Sequence, residues 1–343
     1  MSEVDPTNTL VTVTGASGFI GLHCVRELLE RGFRVRGTLR NLATAPSLRR
    51  ALLPLEPGDR LEFCAAELLA DGGWAEALAG ARYVLHVASP LPKKPPKHED
   101  ELVRPAREGV LRVLAASRAA GVARVVMTSS AAAITSGRER TPDHVFDEHD
   151  WSDLSRPMGA YEKSKTLAEK AAWDFVREGG APELVALNPV YVLGPSLTGA
   201  DNTSNEIVGK LLRREFPGCP RLEFPLVDVR DVAKAHVLAM LAPAAAGERF
   251  LLVSDTAWMK RIAEVLAEAG YRVATRELPN VVVRLVSLFD PIVRLVVDDL
   301  GKPALTSGEK AKTRLGWSGR SMREMVLDTA KVMSERKLGS AAA

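Results

Sequence analysis

The chain has 343 residues, 46% hydrophobic and 26% charged, a balance that fits a folded globular protein and excludes a disordered one. Lys and Arg number 46 against 43 Asp and Glu, and the resulting net charge of +3 is too balanced for a nucleic-acid binder. At roughly 100–200 residues per domain the length allows two or three domains, or one large α/β unit with an elaboration.

In chain order, short apolar runs at 10–14, 34–39, 61–64, 83–87, 122–128 and 184–188 read as strands. Most are separated by helical periodicity, notably at 19–31 and 161–178. This βαβ rhythm predicts an open parallel sheet with helices on both faces. The uniformly apolar runs at 83–87 and 125–127 suit strands buried on both sides. Beyond residue 190 the rhythm breaks at Pro195, Pro217, Pro220 and Pro225, and helices are expected at 232–241, 260–269 and 321–333. The most lipid-like stretch, 281–300, is interrupted by Arg284, Asp290, Pro291 and Arg294. A membrane span needs ~20 mostly apolar residues, so this stretch predicts an amphipathic helix pair. Residues 8–190 are expected to form the cofactor domain, which also receives 226–253. Residues 191–225 and 254–335 form a smaller substrate domain, and 336–343 a disordered tail. The basic loop 90–97 follows a strand end, where it would rim a site or lie free on the surface.

Cys24, Cys64 and Cys219 are scattered without a CxxC pair, and the histidines lack any HExxH spacing. No metal site is expected, and a reducing, cytoplasmic setting is. The first eight residues are polar and show no signal peptide.

Gly15, Gly18 and Gly21 follow the first strand and open the first helix. In that context Gly15 permits a tight turn and Gly18 lets a pyrophosphate approach the helix N-terminus. Gly21 lets helix and sheet pack closely. The second strand ends in Arg40, where NAD-binding chains usually carry an acid for the ribose 2′-hydroxyl. A guanidinium cannot accept from that hydroxyl and suits a 2′-phosphate. NADP(H) is therefore favoured over NAD(H). The fold class expected is α/β: a Rossmann-type doubly wound parallel sheet with a smaller mixed α/β C-terminal substrate domain.

Tyr161 and Lys165 are four apart on a helix and share one face. A free tyrosine, near pKa 10, is a poor proton carrier at neutral pH; an ammonium beside it lowers that value. Thr128, Ser129 and Ser130 end a strand, where a hydroxyl can bond a substrate carbonyl.

These motifs together resemble the extended short-chain dehydrogenases/reductases. They are TGASGFIG, HVAS at 86–89, TSSA at 128–131, YEKSK, NPVYVLGP at 188–195, VDVRDVAKAH at 227–236 and SGEKAKTRLGW at 307–317. SKTLAEKAAWDF at 164–175 is closest to dihydroflavonol 4-reductases, cinnamoyl-CoA reductases and microbial ketone/aldehyde reductases. The resemblance implies Ser130, Tyr161 and Lys165 as catalytic residues, with Lys165 also on the nicotinamide ribose. It implies Gly15, Ser17, Gly18, Phe19, Ile20 and Gly21 at the pyrophosphate and Arg40 with Asn41 at the 2′-phosphate. Glu67 and Leu68 would meet the adenine, in place of the family's usual Asp-Leu. Val87, Ala88, Ser89 and Thr128 would border the cofactor, and Pro189 and Val192 the nicotinamide. Ser89, Pro90, Ser130, Ala131, Thr135, Tyr161, Tyr191 and Phe224 would face substrate.

Thr135 stands near the Asn or Asp with which dihydroflavonol reductases read a flavonoid ring, and the cysteine signature of cinnamoyl-CoA reductases is missing. The implied activity is NADPH-dependent reduction of a small ketone or aldehyde to an alcohol. A monomer or homodimer is expected, with no nucleic-acid or membrane partner. Three alternatives are a nucleotide-sugar epimerase or dehydratase with tightly bound NAD, an NADP-sensing regulator, and a membrane-associated steroid-type dehydrogenase. Against them stand, in turn, Arg40 and Asn188, the retained Ser130, Tyr161 and Lys165, and the charged breaks in 281–300.

Overall fold

The computed structural model describes residues 4–90, 96–180, 182–199, 202–289 and 291–341. Among the described residues ten strands form: β1 (Leu10–Thr14), β2 (Arg34–Leu39), β3 (Leu61–Ala65), β4 (Tyr83–His86), β5 (Arg124–Thr128), β6 (Glu183–Pro189), β7 (Tyr191–Leu193), β8 (Glu223–Asp228), β9 (Arg249–Leu252) and β10 (Asp255–Trp258). Seven build one sheet in the order β3-β2-β1-β4-β5-β6-β9, and every pairing in it is parallel. All residues of β1, β4 and β5 are buried, as strands covered on both faces require.

The chain winds outward through β2 and β3, then returns to place β4 on the other side of β1. That reversal is a topological switch point, and ligands of open α/β sheets bind outside the strand C-termini there. Right-handed crossovers put helices begun in opposite directions on opposite faces. The Phe19–Glu30 helix pairs with Val229–Leu241, and Asp100–Ala119 pairs with Ala160–Arg177.

A second sheet has the order β10-β8-β7. Its core of Ile207, Leu211, Leu226, Ile262, Leu266 and Met325 packs on the helices Glu206–Leu212, Met259–Glu268 and Met322–Ala341. β8 belongs wholly to this sheet, and the chain returns to the large one through the Val229–Leu241 helix and β9. The last helix continues through 337–341, past the point where a disordered tail is expected. The amphipathic pair expected at 281–300 forms as Asn280–Ser287 and Pro291–Val296. Part of the basic loop, 91–95, lies outside the described residues. Among the described residues no helix is long and apolar enough to cross a membrane.

The core of the large sheet closes on Phe250, fully buried on β9. Truncating a buried phenyl leaves a cavity and costs about 3–5 kcal/mol. Phe250→Ala should therefore lower the urea midpoint at an unchanged denaturant slope.

Candidate active site

The glycine turn is shaped by atoms it leaves out. Gly15 has φ +66°, and a Cβ on it would lie 2.9 Å from the Ala88 Cα. A Cβ on Gly21 would lie 2.2 Å from the Gly15 carbonyl oxygen. The Gly15 N–H donates to the Thr38 hydroxyl (3.2 Å) and the Ala16 N–H to the Thr38 carbonyl (3.2 Å), tying the end of β2 to the turn. Arg40, two residues on, is exposed and has no ion-pair partner among the described residues. The Asn41 side chain accepts from the Ala43 N–H at 2.9 Å and caps the next turn. From β4, the Ala88 N–H donates to the Thr14 hydroxyl (3.0 Å), which also lies 2.9 Å from His86 Nδ1. Close backbone, absent side chains and a helix N-terminus suit a pyrophosphate. Ser17 and Gly18 are exposed at its mouth, and Phe19 and Ile20 half-buried in the first helical turn.

The proposed catalytic side chains meet at the end of β5. Pairing between β5 and β6 continues past Thr128: the Ser129 N–H donates to the Leu187 carbonyl (2.8 Å) and the Ala131 N–H to that of Pro189 (2.9 Å). Ser130 Oγ accepts from the Ala132 N–H at 3.1 Å and lies near enough to the Tyr161 side chain to act on its titration. Lys165 Nζ donates to the Thr128 carbonyl at 3.5 Å and lies 5.9 Å from the Tyr161 ring centroid. Burial pushes the Lys165 ammonium down to about 8, against the pull of the Glu169 carboxylate one turn away. The Tyr161 phenol moves upward, chiefly from burial, with the Ser130 side chain opposing it. The spacing of Tyr161 and Lys165 predicts the opposite direction. Spacing reports the ammonium but not the loss of water around the phenol, and that loss dominates here.

Other residues proposed from sequence spread around this edge. Val87, Ala88, Ser89 and Pro90 are half-buried beyond β4. Glu67 is exposed, while Leu68 lies 3.1 Å from where a Gly109 Cβ would be, under the Asp100–Ala119 helix. Pro189 ends β6, and Val192 pairs with Val227 in the small sheet. Tyr191 and Phe224 meet edge to face with centroids 5.8 Å apart. Thr135 donates back to the Ala131 carbonyl at 3.2 Å. An open cleft of about 520 Å³, lined by Gly137, Arg138, His144 and Trp151 among others, contains none of Ser130, Tyr161 and Lys165.

Sequence reasoning missed four polar residues behind the trio. Glu169, Asn188, Arg249 and His236 are all buried. The signal for Glu169 was present: it lies four residues beyond Lys165, as Lys165 lies four beyond Tyr161. His236 Nδ1 lies 2.8 Å from the Val232 carbonyl and must donate to it. Its Nε2 therefore accepts from the Thr128 hydroxyl at 2.7 Å.

A family model described as NAD dependent epimerase/dehydratase family matches residues 11–252. The chain belongs to this family. Within it, the chain is an extended short-chain dehydrogenase/reductase. It is similar to cinnamoyl-CoA reductase 1 of Arabidopsis thaliana, 40% identical over 267 residues covering 77% of this chain and 75% of that one. It also resembles yeast Gre2, a methylglyoxal/isovaleraldehyde reductase solved with NADPH, with a TM-score of 0.79 at 29% identity, over 96% and 99% of the two chains. Candida albicans Gre2, likewise solved with NADPH, gives a TM-score of 0.81 at 28% identity over 95% and 99%.

For this family member three histidines dictate an acid limit. Burial pushes His23 and His236 down to about 4 and His86 to about 3, from 6.5. Between pH 6.5 and those values the unfolded chain binds protons that the folded one refuses. Stability thus falls as pH drops below 6.5, by up to about 1.4 kcal/mol per pH unit for each histidine. Glu148 and Asp231, raised by burial, act with the opposite sign. Melting temperature should fall between about pH 7 and about pH 5, and His236→Gln should flatten that fall.

Proposed function

We propose that the protein is an NADPH-dependent reductase of a small ketone or aldehyde, with Ser130, Tyr161 and Lys165 as its catalytic residues. The observation that carries this reading is the convergence of those three side chains at the end of β5, two strands from the glycine turn after β1. The NADPH named with both Gre2 structures supports the cofactor, as does an unpaired Arg40 beside the turn. An epimerase holding NAD has no use for a cation at that position.

The turn from Gly15 to Gly21 would hold the pyrophosphate and Arg40 the 2′-phosphate. The bound cofactor supplies the hydride. Ser130 and Tyr161 donate hydrogen bonds to the substrate carbonyl oxygen, and Tyr161 passes its proton to that oxygen as negative charge grows there. Lys165 then faces the new phenolate and stabilises it. The Tyr161 phenol, ordinarily near 10 and moved upward here, carries its proton at neutral pH, which is the form that reduction needs. Alcohol oxidation needs the phenolate and is favoured at higher pH.

Tyr161→Phe keeps the ring and removes the proton. It should lower kcat by ~10²–10⁴-fold, the usual share of general acid catalysis, while NADPH affinity followed by fluorescence changes little. Arg40→Ala should weaken NADPH by ~10-fold or more, the worth of a charge-assisted bond to phosphate, and leave NADH almost untouched. Equal affinity of the wild-type protein for the two cofactors would overturn the assignment.

A further inference from the structure

The Glu169 carboxylate has no exposed surface. One oxygen accepts from the Ser129 hydroxyl (2.5 Å) and the Asn188 amide nitrogen (2.7 Å). The other accepts from Arg249 Nε (2.6 Å) and the Trp173 indole N–H (3.3 Å). All four neighbours are donors, so only a group that accepts on both atoms fits. Asn188 is fixed by the same logic: its nitrogen bridges Glu169 and the Ser130 carbonyl (3.1 Å), both acceptors. Glu169 therefore reaches both residues of the catalytic turn, Ser129 directly and Ser130 through Asn188. It also stands one helical turn from Lys165 and favours the lysine's charged form.

We infer that Glu169 is a positioning residue for the reaction. Through Ser129 and Asn188 it sets the placement of Ser130 against Tyr161, and its charge keeps Lys165 protonated beside the phenol. The inference rests on Ser130, Tyr161 and Lys165 being the catalytic residues. A merely structural role is the alternative, since Glu169 is also the ion-pair partner of Arg249.

Two variants separate these roles. Glu169→Gln keeps the shape but turns an N–H₂ toward donors and leaves Arg249 unpaired. Glu169→Gln/Arg249→Met removes both charges and relieves that penalty. Two measurements are made on each: melting temperature, and the pH profile of carbonyl reduction with NADPH. The double variant should regain most of the melting temperature lost by the single one. Its reduction rate should nonetheless begin to fall at lower pH than in wild type, because Lys165, held at about 8 in the wild type, loses its proton earlier without the carboxylate. Its kcat should also be down ~10-fold or more, inside the range that acid–base catalysis supplies, with KM little changed. A double variant with wild-type kcat and reduction profile, beside an inactive Tyr161→Phe, would overturn the inference alone. An active Tyr161→Phe would overturn it together with the catalytic reading beneath it.

Discussion

Glu169 and Arg249 form an ion pair from which water is excluded, and five segments of the chain meet on it. The Ala160–Arg177 helix brings the carboxylate, β9 the guanidinium, and the ends of β5 and β6 bring Ser129 and Asn188. The loop at 148–151 closes the far side: the carbonyls of Glu148 and Asp150 accept from Arg249 at 2.8 Å each. Trp151 stacks on the guanidinium with 3.8 Å to its centroid. Taking two such charges out of water is costly, and a buried pair is weak evidence for stability in itself. What it does is penalise misalignment. Removing one partner from a buried pair costs about 3–5 kcal/mol, so a strand end that slips loses far more than one hydrogen bond. The edge that carries Ser130 is thereby held by geometry that apolar packing alone, which is non-directional, does not specify.

The sheet supplies the other half of that geometry. The turn after β1 and the segment after β4 are adjacent because the strand order reverses between them. The Thr14 hydroxyl bridges that gap by accepting from Ala88. Gly15 is pressed against Ala88 so closely that any side chain would collide with backbone. The glycine turn and the segment after β4 are thus one packed unit. Lys165 and His86, buried near each other, complete it: the lysine's charge helps hold His86 neutral.

The sequence reading was strongest where one residue type does one physical job. β1 to β6 were legible because short β-rich runs, uniformly apolar at 83–87 and 125–127, between helical patterns have few other solutions. Gly15 and Gly21 were legible because only glycine fits where a Cβ would meet backbone. β7 to β10 were not, because three- to six-residue strands among prolines and charges carry little periodic signal. β9 opens with Arg249, whose burial makes sense only once Glu169 is across from it. Asn188 and His236 were read within family motifs, yet their partners Ser130 and Thr128 are 58 and 108 residues distant in sequence. The direction of the Tyr161 shift was missed for a related reason: burial is a property of the assembled site, while spacing along a helix reports one neighbour at a time.

The two sides of the proposed site differ in what a substitution costs. The Ser130 edge is bound by buried polar contacts, each of which strands a partner when changed. The opposite wall is built from β7, β8 and short helices. Tyr191 and Phe224 meet there through ring edges, and a small cluster of Leu222, Val283 and Leu300 anchors the Asn280–Ser287 helix. Val281, Leu285 and Phe289 beside that cluster remain exposed. Side chains with so few buried neighbours can change volume without opening a cavity or stranding a hydrogen bond, so substitutions there cost little. Errors are expensive on the Ser130 side, and variation is cheap on the side of the small sheet.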